Sequence, residues 1–218
     1  MNTIRVYYAD AAPLKDAELY ARYLGLVSET RRKKAESHAH AEGRVLSLAA
    51  GLLLKRALTD LGVRYETATV RTGGHGKPYI DGGPFFSLSH SGERALCVAA
   101  PFPVGCDAER IRKADLRIAD RFFTAEEQAF LSAQEDKQTA FFRLWTLKES
   151  YLKLTGAGLQ QSLGAFSVFP NGASSRVATP GGTCIRAAEY DPGDGYRLAW
   201  CAEGDAAAFT WILVSFDK

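Results

Sequence analysis

Residues 144–154 read LWTLKESYLKL, and no stretch limits the fold of this chain more. Phe141, Phe142, Leu144 and Trp145 lead a run with helical spacing, and Gly156 ends it as a left-handed glycine would. Such a run folds as a helix with its aromatic side in a core. Yet Lys148, Glu149 and Lys153 stand close to that apolar side. Glu149 and Lys153 are four apart and share a face, and Lys148 lies about 100° round the helix from Glu149. At the surface such a pair contributes about 0.3–0.5 kcal/mol. Facing a cleft, the same residues offer a carboxylate and ammonium groups to a ligand. Spacing alone leaves both readings open.

The rest of the chain alternates helix and strand. Ile4, Val6 and Tyr8 alternate with Arg5 and Tyr7, which predicts a first strand. Helices are expected over 15–24 and 28–61. In the second, Val45, Leu48, Ala49, Leu52 and Leu53 form a core-facing stripe closed by Gly62. A strand is expected over 63–70, a glycine-rich loop over 71–86, and a strand–turn–strand over 86–100 with its turn at Ser91-Gly92. Pro101 and Pro103 break the chain near its midpoint. VGCDAER then reads as a strand. RFFTAEEQAFLSA carries Thr124 with Glu127 three residues on, a capping box. The remainder, through FTWILVSF, is strand-rich. The fold class is α+β, with two halves, 1–103 and 104–218, each running from helix to strands.

The charge balance, 27 basic against 25 acidic residues, leaves +2, too little to make nucleic acid or a membrane surface the main partner. No apolar run approaches the roughly 20 residues that span a bilayer, and the first residues lack a signal-peptide core. None of Cys97, Cys106, Cys184 and Cys201 forms a CxxC pair, which argues against a zinc knuckle. A cytoplasmic protein with reduced thiols is expected.

Asp107 and Glu109 stand two apart on the VGCDAER strand and so point the same way. Two carboxylates on one face repel unless a cation lies between them, and hard oxygen donors suit magnesium; a solvated edge paired with Arg110 and Arg112 is the plainer reading. GHGKP can cradle phosphate or simply turn. SLSHSG adds Ser89 and His90, but no nucleophile elbow. The RRKK cluster at 31–34 is either a solvated helix face or a phosphate grip.

Together and in this order, GKP (76–78), SLSHSG (87–92), VGCDAER (104–110), RFFTAEE (121–127) and LWTLKESYLK (144–153) resemble the 4′-phosphopantetheinyl transferases of the surfactin type. The resemblance implies two similar α/β halves related by a pseudo-twofold axis, with a coenzyme A-binding side in the first and a magnesium and pyrophosphate side in the second. It implies a monomer that moves the phosphopantetheine arm of coenzyme A to a serine of an apo acyl, peptidyl or polyketide carrier protein. That reaction releases adenosine 3′,5′-bisphosphate and needs Mg2+. Asp107, Glu109 and Glu149 would hold the metal, and Lys153, with Lys148 beside it, would meet the pyrophosphate. Lys77, Pro78, Ser89, His90 and Arg44, with part of the basic cluster, would bind the adenosine 3′-phosphate side. Catalytic roles would fall to Glu149, Lys153 and Glu127, a glutamate that matches one assigned as general base; the capping box explains Glu127 without chemistry. A coenzyme or carrier binder without activity, and a metal-dependent phosphodiesterase, are the rival readings.

Overall fold

A computed structural model describes residues 3–73, 76–204 and 208–217, with Leu159 described for its backbone alone. Gly74 and His75 of the GHGKP stretch lie outside the described residues. Strand β1 (Thr3–Asp10) is followed by α1 (Ala17–Leu24), α2 (Glu29–Glu36) and α3 (Ala41–Asp60). A small hairpin, β2 (Val70–Thr72) and β3 (Pro78–Ile80), precedes the long hairpin β4 (Phe85–Ser91) and β5 (Arg94–Ala100). The second half opens with β6 (Val104–Arg110), then α4 (Arg117–Phe122), α5 (Ala125–Ser132) and α6 (Lys137–Thr155). It closes with β7 (Ser167–Phe169), β8 (Arg176–Ala178), β9 (Cys184–Tyr190), β10 (Tyr196–Ala202) and β11 (Ala208–Val214).

The two halves repeat one topology. In the first sheet, β11-β1-β5-β4, the opening strand pairs antiparallel with the second strand of the hairpin. In the second, β6-β10-β9-β8-β7, strand β6 does the same with β10. Helix α3 covers one face of the first sheet and α6 one face of the second. The remaining faces meet each other: Ile4, Val6, Leu96 and Val98 pack against Cys106, Leu198 and Trp200. This makes an α/β/β/α stack of three apolar layers. Strand β11 leaves the second half and pairs parallel with β1, and Phe216 beyond it enters the first core.

Several expectations change in detail. The helix expected over 28–61 is two: Ser28 caps α2, accepting from the Arg31 backbone N–H at 3.3 Å, and α3 starts afresh at Ala41. The polar α2 sequence has little apolar face of its own and lies over α3, where Gly51 makes room for Arg31. An added Cβ at Gly51 would sit 2.7 Å from Arg31 Cγ. The strand expected over 63–70 is a single turn followed by the short β2. Tyr7 is fully buried because α3 covers its face of β1, and its hydroxyl donates to Asp60 at 2.9 Å. The capping box is formed: Thr124 N–H donates to Glu127 Oε2 at 2.9 Å. Cysteines 97, 106 and 201 are buried and free; burial pushes the Cys106 thiol up to about 11, so it stays protonated. Among the described residues no helix is long and apolar enough to cross a membrane.

Two close approaches join the halves where the motifs meet. Along β4, every second residue is a serine, and each hydroxyl accepts a backbone N–H from β6. Ser87 takes Cys106 N–H at 3.1 Å, Ser89 takes Ala108 N–H at 3.2 Å, and Ser91 takes Arg110 N–H at 3.2 Å. The edge of the second sheet is thus satisfied by side chains, where a further strand would use carbonyls. On the other side, Gly105 of β6 lies against the α6 backbone. An added Cβ there would stand 2.8 Å from Leu154 Cα and closer still to Ser150 O and Leu154 N. Glycine is required because no side chain fits between strand and helix.

Candidate functional site

The serine seam and the Gly105 contact together set Asp107 opposite Lys153. Asp107 is 4% exposed. Its Oδ1 accepts from Lys153 Nζ at 2.6 Å and from Ser89 Oγ at 2.8 Å, and Lys153 Nζ also donates to Ser89 Oγ at 2.8 Å. Three elements, β4, β6 and α6, thus converge on one oxygen. Oδ2 of the same carboxylate is buried and has no hydrogen-bond partner among the described residues. A buried carboxylate oxygen left without a donor is costly unless something positive arrives. Glu109, two residues along the same face, accepts from Ser91 Oγ and from Arg112 Nη1, both at 2.9 Å.

Charge and burial pull against each other here. Burial raises the Asp107 carboxyl above its ordinary range; Lys153 opposes this and Glu109 adds to it. Glu149 is also raised, first by burial, then by Asp107 and Glu109. Burial alone would lower the Lys153 ammonium, but Asp107, Cys106 and Glu149 carry it above the usual lysine value. Three carboxylates therefore feel one another while a single lysine is seated among them. Among the described residues no three such side chains are drawn together as a metal cluster. Lys153 already neutralises Asp107 from one side, and Glu109 is turned toward Ser91 and Arg112. The donor chemistry still fits a hard divalent cation: all oxygen, partly buried, with Asp107 Oδ2 open.

A cavity of about 270 Å³ adjoins this point, lined by Glu149 and Lys153 of α6, Lys77 and Pro78, Ser87 and Leu88, and Gly156 and Gly158. Residues from both halves make its wall. Lys77 Nζ donates to Leu154 O at 2.8 Å and to Val104 O at 3.2 Å, so it also ties the end of α6 to the start of β6. A cation suits that place, where the helix carbonyls end. Burial lowers the Lys77 ammonium. A second cavity of about 280 Å³ shares Pro78 and Leu88 with the first and is lined also by Arg31, Lys34, Tyr65 and Phe86. Of the basic cluster, then, Arg31 and Lys34 face a cavity. Lys33 pairs with Glu29 in solvent. Arg31 Nη2 donates to Ser47 O at 2.6 Å, while its buried Nε has no partner among the described residues. The His90 imidazole is pushed down by burial and then by Lys153, Arg31 and His38, which places it in the same cationic field. Arg44 is not among the residues lining either cavity; its charge acts on Tyr20.

Two expected site residues are corrected. Glu127 is 1% exposed and Lys148 is fully buried. They pair with each other at 2.8 Å in the core of the second half. Glu127 Oε1 also accepts from Val168 N–H at 2.7 Å, and Lys148 Nζ donates to Leu163 O at 2.7 Å and Phe166 O at 3.0 Å. Lys148 has no donor left for a phosphate. Glu127, sealed and fully partnered, has no route to a substrate proton. Sequence reasoning passed over Ser87 and Ser91, although the period-2 serines of SLSHSG are the signal for a strand face turned to a polar partner.

Residues 103–201 match the family model described as the 4′-phosphopantetheinyl transferase superfamily. The chain is similar to the 4′-phosphopantetheinyl transferase Sfp of Bacillus subtilis, 34% identical over 207 residues, covering 90% of this chain and 91% of that protein. The psf-1 transferase of Bacillus pumilus is 34% identical over 196 residues, 84% of this chain and 81% of that one. The gsp transferase of Aneurinibacillus migulanus is 34% identical over 148 residues; that match covers 66% of this chain and 62% of that protein. Among solved structures, the holo-[acyl-carrier-protein] synthase of Thermotoga maritima aligns at 15% identity with a TM-score of 0.39, covering 48% of this chain and 70% of that one.

Proposed function

Because the chain belongs to the 4′-phosphopantetheinyl transferase superfamily, in the group typified by Sfp, we propose that it transfers the phosphopantetheine arm of coenzyme A to a serine of an apo carrier protein. The observation that carries this reading is Asp107: an acid pinned on one oxygen by Lys153 and Ser89, open on the other, beside a cavity walled by both halves. The carrier seryl oxygen attacks the β-phosphorus of the coenzyme, and the bond to the departing adenosine 3′,5′-bisphosphate breaks. Such a transfer needs positioning and charge neutralisation more than covalent help from the protein.

Asp107, Glu109 and Glu149 would hold Mg2+, which would supply charge neutralisation on the pyrophosphate. Lys153 meets the negative charge that grows on the leaving phosphate. Lys77 and Pro78 border the pyrophosphate channel. Arg31 and Lys34 offer the cationic surface for the adenosine 3′-phosphate, since their cavity shares Pro78 and Leu88 with the first, and His90 feels the charge of Arg31. With Glu127 sealed in the core, the serine proton leaves through water hydrogen-bonded at the mouth of the cavity that Glu149 lines. Carrier proteins are acidic, and the docking face is the α4–α5 edge. There Arg121 lies over Phe122, a large apolar side chain 42% exposed, and Arg117 of the same helix pairs with Asp115. One chain supplies both walls of the cavity, which suits a monomer; the cytoplasm is where coenzyme A and carriers meet.

Intact mass spectrometry of an apo carrier incubated with this protein, coenzyme A and Mg2+ tests the reading. A gain of one phosphopantetheine, absent with EDTA, is expected. No gain on acyl, peptidyl and polyketide carriers, with coenzyme A still bound, would leave a binder and overturn the transferase.

A further inference from the structure

The buried Glu127–Lys148 pair lies outside the cavities, yet Lys148 directly precedes Glu149. Two buried charges in a hydrophobic core are expensive to keep where apolar residues would pack as well. What the lysine does with its three donors is specific. One meets Glu127 on α5, and the other two hold the carbonyls of Leu163 and Phe166. The ammonium also lies over the Phe166 and Phe123 rings, at 4.4 and 5.4 Å from their centroids. Apart from the burial of Leu163 and Phe166 in the second core, where the Phe166 ring lies 4.5 Å from that of Tyr151, residues 156–166 have few long-range ties. Their backbone bonds are local turns: Gln160 to Ala157, Gln161 to Gly158 and Ala165 to Ser162. At the other end of this segment, Gly156 and Gly158 wall the cavity beside Lys77 and Lys153.

We propose that Lys148 is a positioning residue: it anchors residues 156–166 to α6 through Leu163 and Phe166, and so fixes the wall of the coenzyme cavity that Gly156 and Gly158 form beside Lys77. Glu127 balances its charge and ties the same point to β7 through Val168. This inference rests on the coenzyme A reading above, in which that wall touches the substrate.

The Glu127→Gln, Lys148→Met double variant removes both charges together, so no buried ion is left unpaired, while the carbonyls of Leu163 and Phe166 lose their donor. Hydrogen exchange without ligand is the first readout: amides 157–166 are expected to exchange at least 10-fold faster, with α5 and α6 unchanged. Calorimetry is the second: the Kd for coenzyme A is expected to rise at least 10-fold while the KM for the carrier stays put. The Glu127→Gln single variant keeps both carbonyl anchors but leaves the buried ammonium without its counter-ion, so its melting point should fall, while loop exchange, coenzyme affinity and turnover, read well below that melting point, should stay within about 3-fold of wild type. A Kd that rises with unchanged loop exchange would mean that Lys148 contacts phosphate directly, and the anchoring role falls. Faster exchange with an unchanged Kd would make the pair merely structural. Loss of turnover in Glu127→Gln alone, with loop and affinity intact, would make Glu127 the base. If wild type bound no coenzyme A, the functional reading would fail, whereas the exchange experiment would still decide the anchor.

Discussion

Gly105→Ala is the most informative single substitution, because the structure sets its size. The new methyl would stand 2.8 Å from Leu154 Cα, where ordinary contact begins at 3.4 Å, and two α6 backbone atoms lie nearer still. Helix and strand must therefore part by at least 0.6 Å, and by about 1.3 Å to clear all three atoms, the nearest being Ser150 O at 2.1 Å. No flexible side chain can yield, since every obstructing atom is backbone. Asp107 rides on the strand and Lys153 on the helix, so their 2.6 Å contact opens by a similar amount. Overpacking of this kind costs about 1–3 kcal/mol of stability. A displacement of about 1 Å between catalytic groups costs on the order of 100-fold in rate. Urea unfolding should show the first loss, and the carrier-loading assay, run well below the melting point, the second. Gly181→Ala is the control, since an added Cβ there meets nothing within 4 Å. If Gly105→Ala kept wild-type turnover and stability, the claim that backbone contact between β6 and α6 sets the site would be wrong.

Glu149→Gln should abolish carrier loading while leaving the circular dichroism spectrum unchanged. Its stability in EDTA has a definite sign. The folded Glu149 carboxyl is raised, first by burial and then by Asp107, so the native state holds that proton more tightly than the unfolded chain. Metal-free wild type should then lose stability as pH rises from the ordinary glutamate value through the raised one. The variant should show a shallower slope, Asp107 supplying what remains, and a higher melting point at pH 7. A steeper slope in the variant would refute this. Charge reversal at Arg117 and Arg121 should raise the KM for the carrier and leave that for coenzyme A alone; equal changes in both would count against the α4–α5 docking face. Lys77→Met removes two carbonyl contacts between β6 and α6 and a cation from the cavity wall, so both melting point and coenzyme A affinity should fall. Calorimetry showing a fall in stability alone would reduce Lys77 to a strut.

Much of the site was legible because its residues obey local periodicities. Asp107 and Glu109 share a strand face, Glu149 and Lys153 share a helix face, and the Thr124–Glu127 capping box forms as its spacing requires. What spacing could not give is burial. Lys148 and Glu149 are adjacent in the sequence, yet one is sealed in the core and the other lines a cavity, because the segment 156–166 folds over a single side of α6. The same limit applies to Glu127, whose capping role and burial exclude the chemical one. Lateral contacts were equally hidden. The break between α2 and α3 depends on Arg31 seating over Gly51, and the serine seam depends on which strands end up as neighbours. Neither is a property of one segment.

The parallel pairing of β1 with β11 has a consequence for how the molecule is made. On the ribosome, β1 emerges some two hundred residues before its partner (Thr3 against Ala208). Until then the first sheet has an open edge, with the unpaired N–H and C=O groups of β1 ready to pair with whatever strand comes by. The N-terminal half can collapse on α3 early, but it closes only when the last strand is threaded alongside the first. Long-range closure of this kind slows folding. The strand that seals the first sheet is thus made long after the rest of it, and a nascent chain stalled before β11 should be more prone to aggregation than one stalled after it.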